Sequence, residues 1–200
     1  MAKNSRYCLP FRRRREGKTD YKARKALVLS GKPRLVARRT RKNLVTQIIS
    51  AKPQGDVVVV AAHSRELMKK YGWNAPRGNI PAGYLTGLLC GLKASSKGIK
   101  EAIFDIGSSS PSKGAIIFSV LKGVLDAGVS VPHDSEKLPS EKRISGTHIQ
   151  SYAKTLSSDE SPILFSQYRK NHLAPETLPE HVKEVKKEIL KLFSKGGEKS

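Results

Sequence analysis

Acids, cysteines and long apolar stretches are all scarce in this chain, and each shortage closes off a class of protein. Only two cysteines, Cys8 and Cys90, occur in 200 residues. They lie too far apart to build a disulfide framework or a cysteine-based metal motif, so reduced thiols in a cytoplasmic setting are expected. The longest strongly apolar run, Val57–Ala62, falls far short of the ~20 residues a membrane-spanning helix needs. No apolar segment separates the charges near the N-terminus, which argues against a secretory signal. Pro10 and the Arg12–Arg15 block suit an amphipathic presequence badly, and no lipidation site accompanies the basic run. A membrane partner is not expected.

The shortage of acids is uneven. Against 38 Lys and Arg stand 17 Asp and Glu, a formal charge of +21. Sixteen of the cations precede residue 43, where the acids are Glu16 and Asp20 alone, so +14 of the total lies there. Such crowding points to a dense polyanion, because every neutralised phosphate releases counterions and adds to affinity. A chain of this length can bury about 70% of its unfolded surface, enough for a core without disulfides.

Periodicity predicts an α/β fold, a mixed sheet covered by helices, with a basic N-terminal arm and a helical C-terminal extension. Residues 1–18 read as the arm, 19–135 as the α/β domain and 136–200 as the extension. Thr19 is the expected cap of a helix starting at Asp20, with an apolar stripe of Ala23, Ala26 and Leu27, stopped by Gly31 and Pro33. Arg34–Thr40 and Leu44–Ser50 read as a hairpin joined by Arg41, Lys42 and Asn43. Asp56–Ala62, nearly all valine and alanine, predicts a strand covered on both faces.

Helical signals follow at His63–Tyr71, after Pro81, at Ile117–Val124 and near 146–155, with a strand at Ala102–Ile106. Gly83, Gly87 and Gly91 make a smooth stripe that lets a neighbouring element approach closely. Residues 130–148 read mostly as loop. After Pro179, Val182, Val185, Ile189 and Leu192 form the stripe of a last helix, and 195–200 should fray.

Catalytic signals are thin. Gly107–Gly114 looks like a phosphate-binding loop, but Ser112 stands where a glycine is needed and Gly114 follows Lys113 where Ser or Thr is needed. A polar turn entering the next helix is the better reading. Asp56, Asp105 and Asp126 could hold Mg²⁺ in an RNA-processing nuclease if they converged. Spacing does not show that they do, and no metal, cofactor or catalytic residue is expected.

The basic segment differs from a plain solubility tail. Tyr7, Phe11, Tyr21, Thr40, Asn43, Thr46 and Gln47 are interleaved with Arg12, Arg13, Arg14, Arg15, Lys18, Arg24, Lys25, Arg34, Arg38, Arg39, Arg41 and Lys42. Cations fix a nucleic-acid backbone, while rings and amides stack on bases or reach 2′-hydroxyls. Tyr168, Arg169 and Lys170 form a second, smaller cluster that reads equally as a contact or a solvated turn. A non-specific polyanion binder remains the alternative.

Several motifs, in order, resemble the 5S-rRNA-binding protein family of the large ribosomal subunit, number eighteen in the bacterial series. They are Lys22-Ala-Arg24-Lys25-Ala-Leu27, Pro33-Arg-Leu-Val-Ala-Arg-Arg-Thr40 and Asn43-Leu-Val-Thr-Gln47-Ile-Ile, then Gly55-Asp56-Val-Val-Val and Ala82-Gly-Tyr-Leu-Thr-Gly87. Phe104-Asp105-Ile-Gly107, Lys122-Gly123, Asp126-Ala-Gly128 and Val131-Pro132-His133 complete the series. Arg143-Ile-Ser-Gly146-Thr-His148-Ile and the tail through Lys170 look like the archaeal and eukaryotic branch. The chain lacks the long eukaryotic C-terminal extension, so an archaeal source is expected. The resemblance implies a structural ribosomal protein that binds 5S rRNA beside 23S rRNA and a second 5S-binding protein in the central protuberance. By that match Arg39, Thr40, Lys42, Asn43 and Gln47 face RNA, helped by Arg24, Lys25 and Arg12 to Arg15. Asp105 becomes a structural residue near a turn.

Overall fold

In a computed structural model of the chain, residues 4–156 and 164–195 are described. Residues 4–18 of the arm are exposed, but four consecutive arginines close one helical turn, α1 (Arg12–Arg15). The next helix, α2 (Tyr21–Leu29), is capped by Asp20 rather than Thr19. The Asp20 carboxylate accepts the N–H groups of Lys22 and Ala23 at 2.9 and 3.1 Å, satisfying two orphan donors at the positive end of the helix dipole. Gly31, with φ of +69°, turns the chain into the sheet.

Four strands form a sheet of order β3-β2-β1-β4. β1 (Arg34–Arg39) and β2 (Leu44–Lys52) make the expected antiparallel hairpin, and β3 (Gly55–His63) continues it. β4 (Ile103–Asp105) returns parallel to β1. Two long helices cover one face of the sheet, α4 (Ile80–Ser96), in the crossover to β4, and α5 (Ile116–Asp126), which follows β4. A shorter helix, α3 (Ser64–Lys70), opens on a capping box formed by His63 and Glu66.

Strand alternation gives the sheet two unlike faces. Leu35, Ala37, Ile48, Val60 and Ala62 turn to α4 and α5 and join the core. Val36, Arg38 and Gln47 point the other way. The valine-rich β3 is an edge strand, not one covered on both faces. Val57 and Val58 are 44% and 47% exposed because only the Val60–Ala62 end lies under the helices. Lys93 of α4 and Lys97, the residue capping its C-terminus, donate to the outward carbonyls of Ala61 and Val59 at 3.1 and 2.7 Å. Capping by lysine blunts an edge that could otherwise pair with another chain.

The glycine stripe does what its spacing suggests. A Cβ on Gly87 would run into the Val120 backbone, and one on Gly123 into the Tyr84 carbonyl. Both helices therefore meet backbone to backbone. Cys90 is buried on the sheet side of α4, its thiol donating to the Thr46 carbonyl of β2 at 3.9 Å, and burial pushes that thiol up to about 12, so it stays protonated; both cysteines are free.

The extension contains structure that the sequence reading treats as loop: a 3₁₀ turn at Ser135–Lys137 and a short helix, α6 (Glu141–Ser145). Then come α7 (Thr147–Thr155), α8 (Ser166–Lys170) and α9 (Leu178–Lys195). Val182, Val185 and Ile189 join the same core as the sheet. Leu192 is exposed, and Phe193 takes its expected place against the core. The stripe advances by four residues after Ile189, which keeps it on one face of a 3.6-residue helix. Residues 196–200, where fraying is expected, lie outside the described residues. No described helix is long and apolar enough to cross a membrane.

Candidate nucleic-acid interface

The sheet face turned away from α4 and α5 is covered only in part by α2, and the basic segment borders it. Phe11 of the arm packs on Tyr21 of α2 with ring centroids 5.2 Å apart. Arg13 donates to Thr19 at 2.9 Å, and Lys18 pairs with Glu16 at 2.8 Å. Arg12, Arg13, Arg14, Arg15, Lys18 and Lys25 are exposed, so their charge faces solvent. Arg13 and Lys18 line, with Arg24 and Arg38, a cleft of about 460 Å³ between the arm, α2 and the open sheet face.

At the far end, the hairpin tip is a closed turn. The Thr40 N–H donates to the Asn43 carbonyl at 2.8 Å, its hydroxyl donates there at 2.9 Å, and the Asn43 N–H returns to that hydroxyl at 3.1 Å. These bonds leave Arg39, Arg41 and Lys42 exposed around a fixed loop. Thr40 holds the turn, and Asn43 Oδ1 is buried without a partner. Gln47, half-buried between Val36 of β1 and Ala61 of β3, points onto the open face.

Three expected contact residues are not on the surface. Thr46 is buried under α4, because it shares the face of Leu44 and Ile48. Tyr168 is buried, edge-on to Phe165 at 5.5 Å, and burial pushes its phenol up to about 12. Arg169 and Lys170 remain exposed beside it.

Arg34 is the third. It is only 3% exposed and donates to Asp56 at 2.6 Å and to Asp105 at 2.9 Å. Asp56 also accepts from Arg24 at 2.9 Å. Asp105 also accepts from Arg38 at 3.2 Å and from the Gly107 N–H at 2.9 Å. The guanidinium of Arg38 lies against Gly107, φ +60°, where any Cβ would strike it. Sequence reasoning missed this chain of five alternating charges. The sequence offered little signal for it, because Asp56 and Asp105 lie in mostly apolar or small-residue stretches, far along the chain from Arg34.

The same geometry dismantles the nuclease reading. Asp56 and Asp105 are bridged by Arg34, while Asp126 sits elsewhere, accepting from Tyr84 at 2.8 Å and pairing with Lys122 at 2.8 Å. Burial and Asp126 together hold the Tyr84 phenol well above its ordinary range. Among the described residues no group of three potential metal ligands comes together. The glycine-serine segment at 107–114 is a turn feeding α5, as its lack of a true phosphate-loop pattern suggests.

Comparison with known proteins bears on the family of the chain. A family model described as ribosomal large subunit proteins 60S L5 and 50S L18 matches residues 5–101. Large ribosomal subunit protein uL18 of Methanococcus maripaludis is 50% identical over 194 residues, covering 96% of this chain and 100% of that protein. The uL18 protein of Caldivirga maquilingensis is 48% identical over 203 aligned positions, covering 100% of this chain and 98% of its own. The chain thus belongs to the L5/L18 family of large-subunit ribosomal proteins, in its archaeal type, and serves as a structural part of the ribosome rather than an enzyme.

Proposed function

We propose that the protein binds 5S rRNA through the arm, α2, the hairpin tip and the open sheet face. In doing so it helps attach that RNA to 23S rRNA in the central protuberance, beside the second 5S-binding protein. The observation that carries the reading is the half-covered sheet face, which presents Arg38 and Gln47 next to the segment holding +14 of the +21 charge. Phosphate contacts from Arg12 to Arg15, Lys18 and Lys25 supply affinity and set orientation. The closed turn holds Arg39, Arg41 and Lys42 in place before binding, which lowers the ordering cost. Gln47 offers an amide to a base edge or a 2′-hydroxyl.

A protection footprint on 5S rRNA tests this. The full chain should protect one contiguous region of the folded RNA, and a chain lacking residues 1–18 should lose part of it. Uniform weak protection along the whole RNA would favour a general polyanion binder.

A further inference from the structure

Arg24 and Arg38 stand on different elements, α2 and β1, yet both border the same cleft. Their side chains are 40% and 43% exposed, whereas Arg34 between them is buried. The order of contacts is Arg24–Asp56–Arg34–Asp105–Arg38, with separations of 2.9, 2.6, 2.9 and 3.2 Å. Each aspartate thus serves an exposed arginine and the hidden one together. Arg38 is fixed further by donating to the carbonyls of Ala37 and Asp105 at 3.0 and 2.9 Å. Among the described residues, Arg24 forms one side-chain hydrogen bond, to Asp56, which leaves the rest of its donor fork for a ligand.

Two acids in a surface meant for RNA are costly if charge alone matters. Each one cancels a cation and repels phosphate. Their placement makes sense if geometry matters more. A long arginine side chain loses much rotamer freedom when it binds, and a guanidinium already tied down loses less.

We propose that Asp56 and Asp105, joined through buried Arg34, are positioning residues that hold Arg24 and Arg38 in one preset arrangement across the cleft. The arrangement selects a folded RNA whose phosphates match it over any other polyanion. This deepens the RNA-binding reading above and rests on it.

The test exploits a difference in sign. Full-length Asp56→Asn is compared with the unsubstituted chain for binding to 5S rRNA and to an unrelated folded RNA of equal length, at several salt concentrations. Loss of an acid from a surface that acts by charge alone tightens both complexes. Loss of a positioning residue weakens the 5S complex by about tenfold, on the scale of one lost charge-assisted hydrogen bond, while the unrelated complex stays the same or tightens. Thermal unfolding of each variant separates this from a folding defect.

If Asp56→Asn melts below the assay temperature, Arg24→Lys carries the same test from an exposed helix. It keeps the charge but loses the fork, so selectivity should fall with little change in melting. Tightening of both complexes by Asp56→Asn, or no loss of selectivity in Arg24→Lys, would overturn the proposal. Failure of the underlying reading looks different: the unsubstituted chain itself would show no preference for 5S rRNA.

Discussion

The two faces of the sheet are made from the same three long strands and are held by opposite physics. Toward α4 and α5 the contacts are Leu35, Ala37, Ile48 and Val60 against helices joined through glycine. What matters there is volume, to within a methyl group. Toward α2 the side chains of Arg34, Arg38 and Gln47 sit among carboxylates and solvent. What matters there is where charges are held. The first face makes the core, and the second borders an open cleft.

Substitutions on each face should separate these roles. Arg34→Ala takes the buried partner from Asp105, leaving it only Arg38 and the Gly107 N–H, and should cost about 2–3 kcal/mol, the scale of a lost charge-assisted hydrogen bond. Chemical denaturation reads it as a lower midpoint with an unchanged slope. On the opposite face, Gly87→Ala forces α4 and α5 apart and should cost roughly 2–3 kcal/mol. It should leave selectivity between RNAs unchanged in whatever fraction folds. An equal loss of selectivity in the two variants would show that the faces are not separable.

Removing residues 1–18 should leave stability nearly unchanged while flattening the dependence of binding on salt. Each lost phosphate contact lowers the slope by up to about 0.7–0.9, and a titration of affinity against salt concentration measures it. Gln47→Ala should have a smaller effect, a loss of a few-fold in preference for the correct RNA, with non-specific affinity retained. Competition between two labelled RNAs would show it.

The smallest effect concerns pH. The His181 Nε2 accepts the Asn74 N–H at 3.1 Å with its ring stacked on Trp73, and the His63 Nδ1 accepts the Arg65 N–H at 2.9 Å. Both acceptors need a neutral ring. Burial lowers both pKa values below the ordinary 6.5, and at His63 the Arg65 charge adds to it. A depressed folded pKa means that the unfolded chain takes up protons first. Stability from these rings is therefore complete above pH 6.5 and declines as pH falls below it. Melting temperature should drop between pH 7 and 5, with a shallower drop in His181→Gln.

Legibility in the sequence followed the same division. The hairpin, α4, α5 and the glycine stripe were readable because periodicity and backbone-only residues carry their message locally. So was the exposed cation set of the arm and the hairpin tip. Burial of Arg34, Thr46 and Tyr168 was not, since composition says that a residue is basic or polar without saying which face it lands on. Strand parity decides that for Thr46, which follows Leu44 and Ile48 inward. The exposed valines of β3 show the reverse error: a β-branched run reads as central, but strand order along the sheet is set by crossover connections that no local pattern encodes. The link between Asp56 and Asp105 through Arg34 spans three strands, β3, β1 and β4, and becomes visible only in three dimensions.

The most direct measurement is a binding competition between 5S rRNA and an unrelated folded RNA of equal length, at physiological ionic strength, for the full chain. The expected result is a clear preference for 5S rRNA that survives added salt better than binding to the competitor does. Equal affinity for both, falling with the same salt slope, would contradict it.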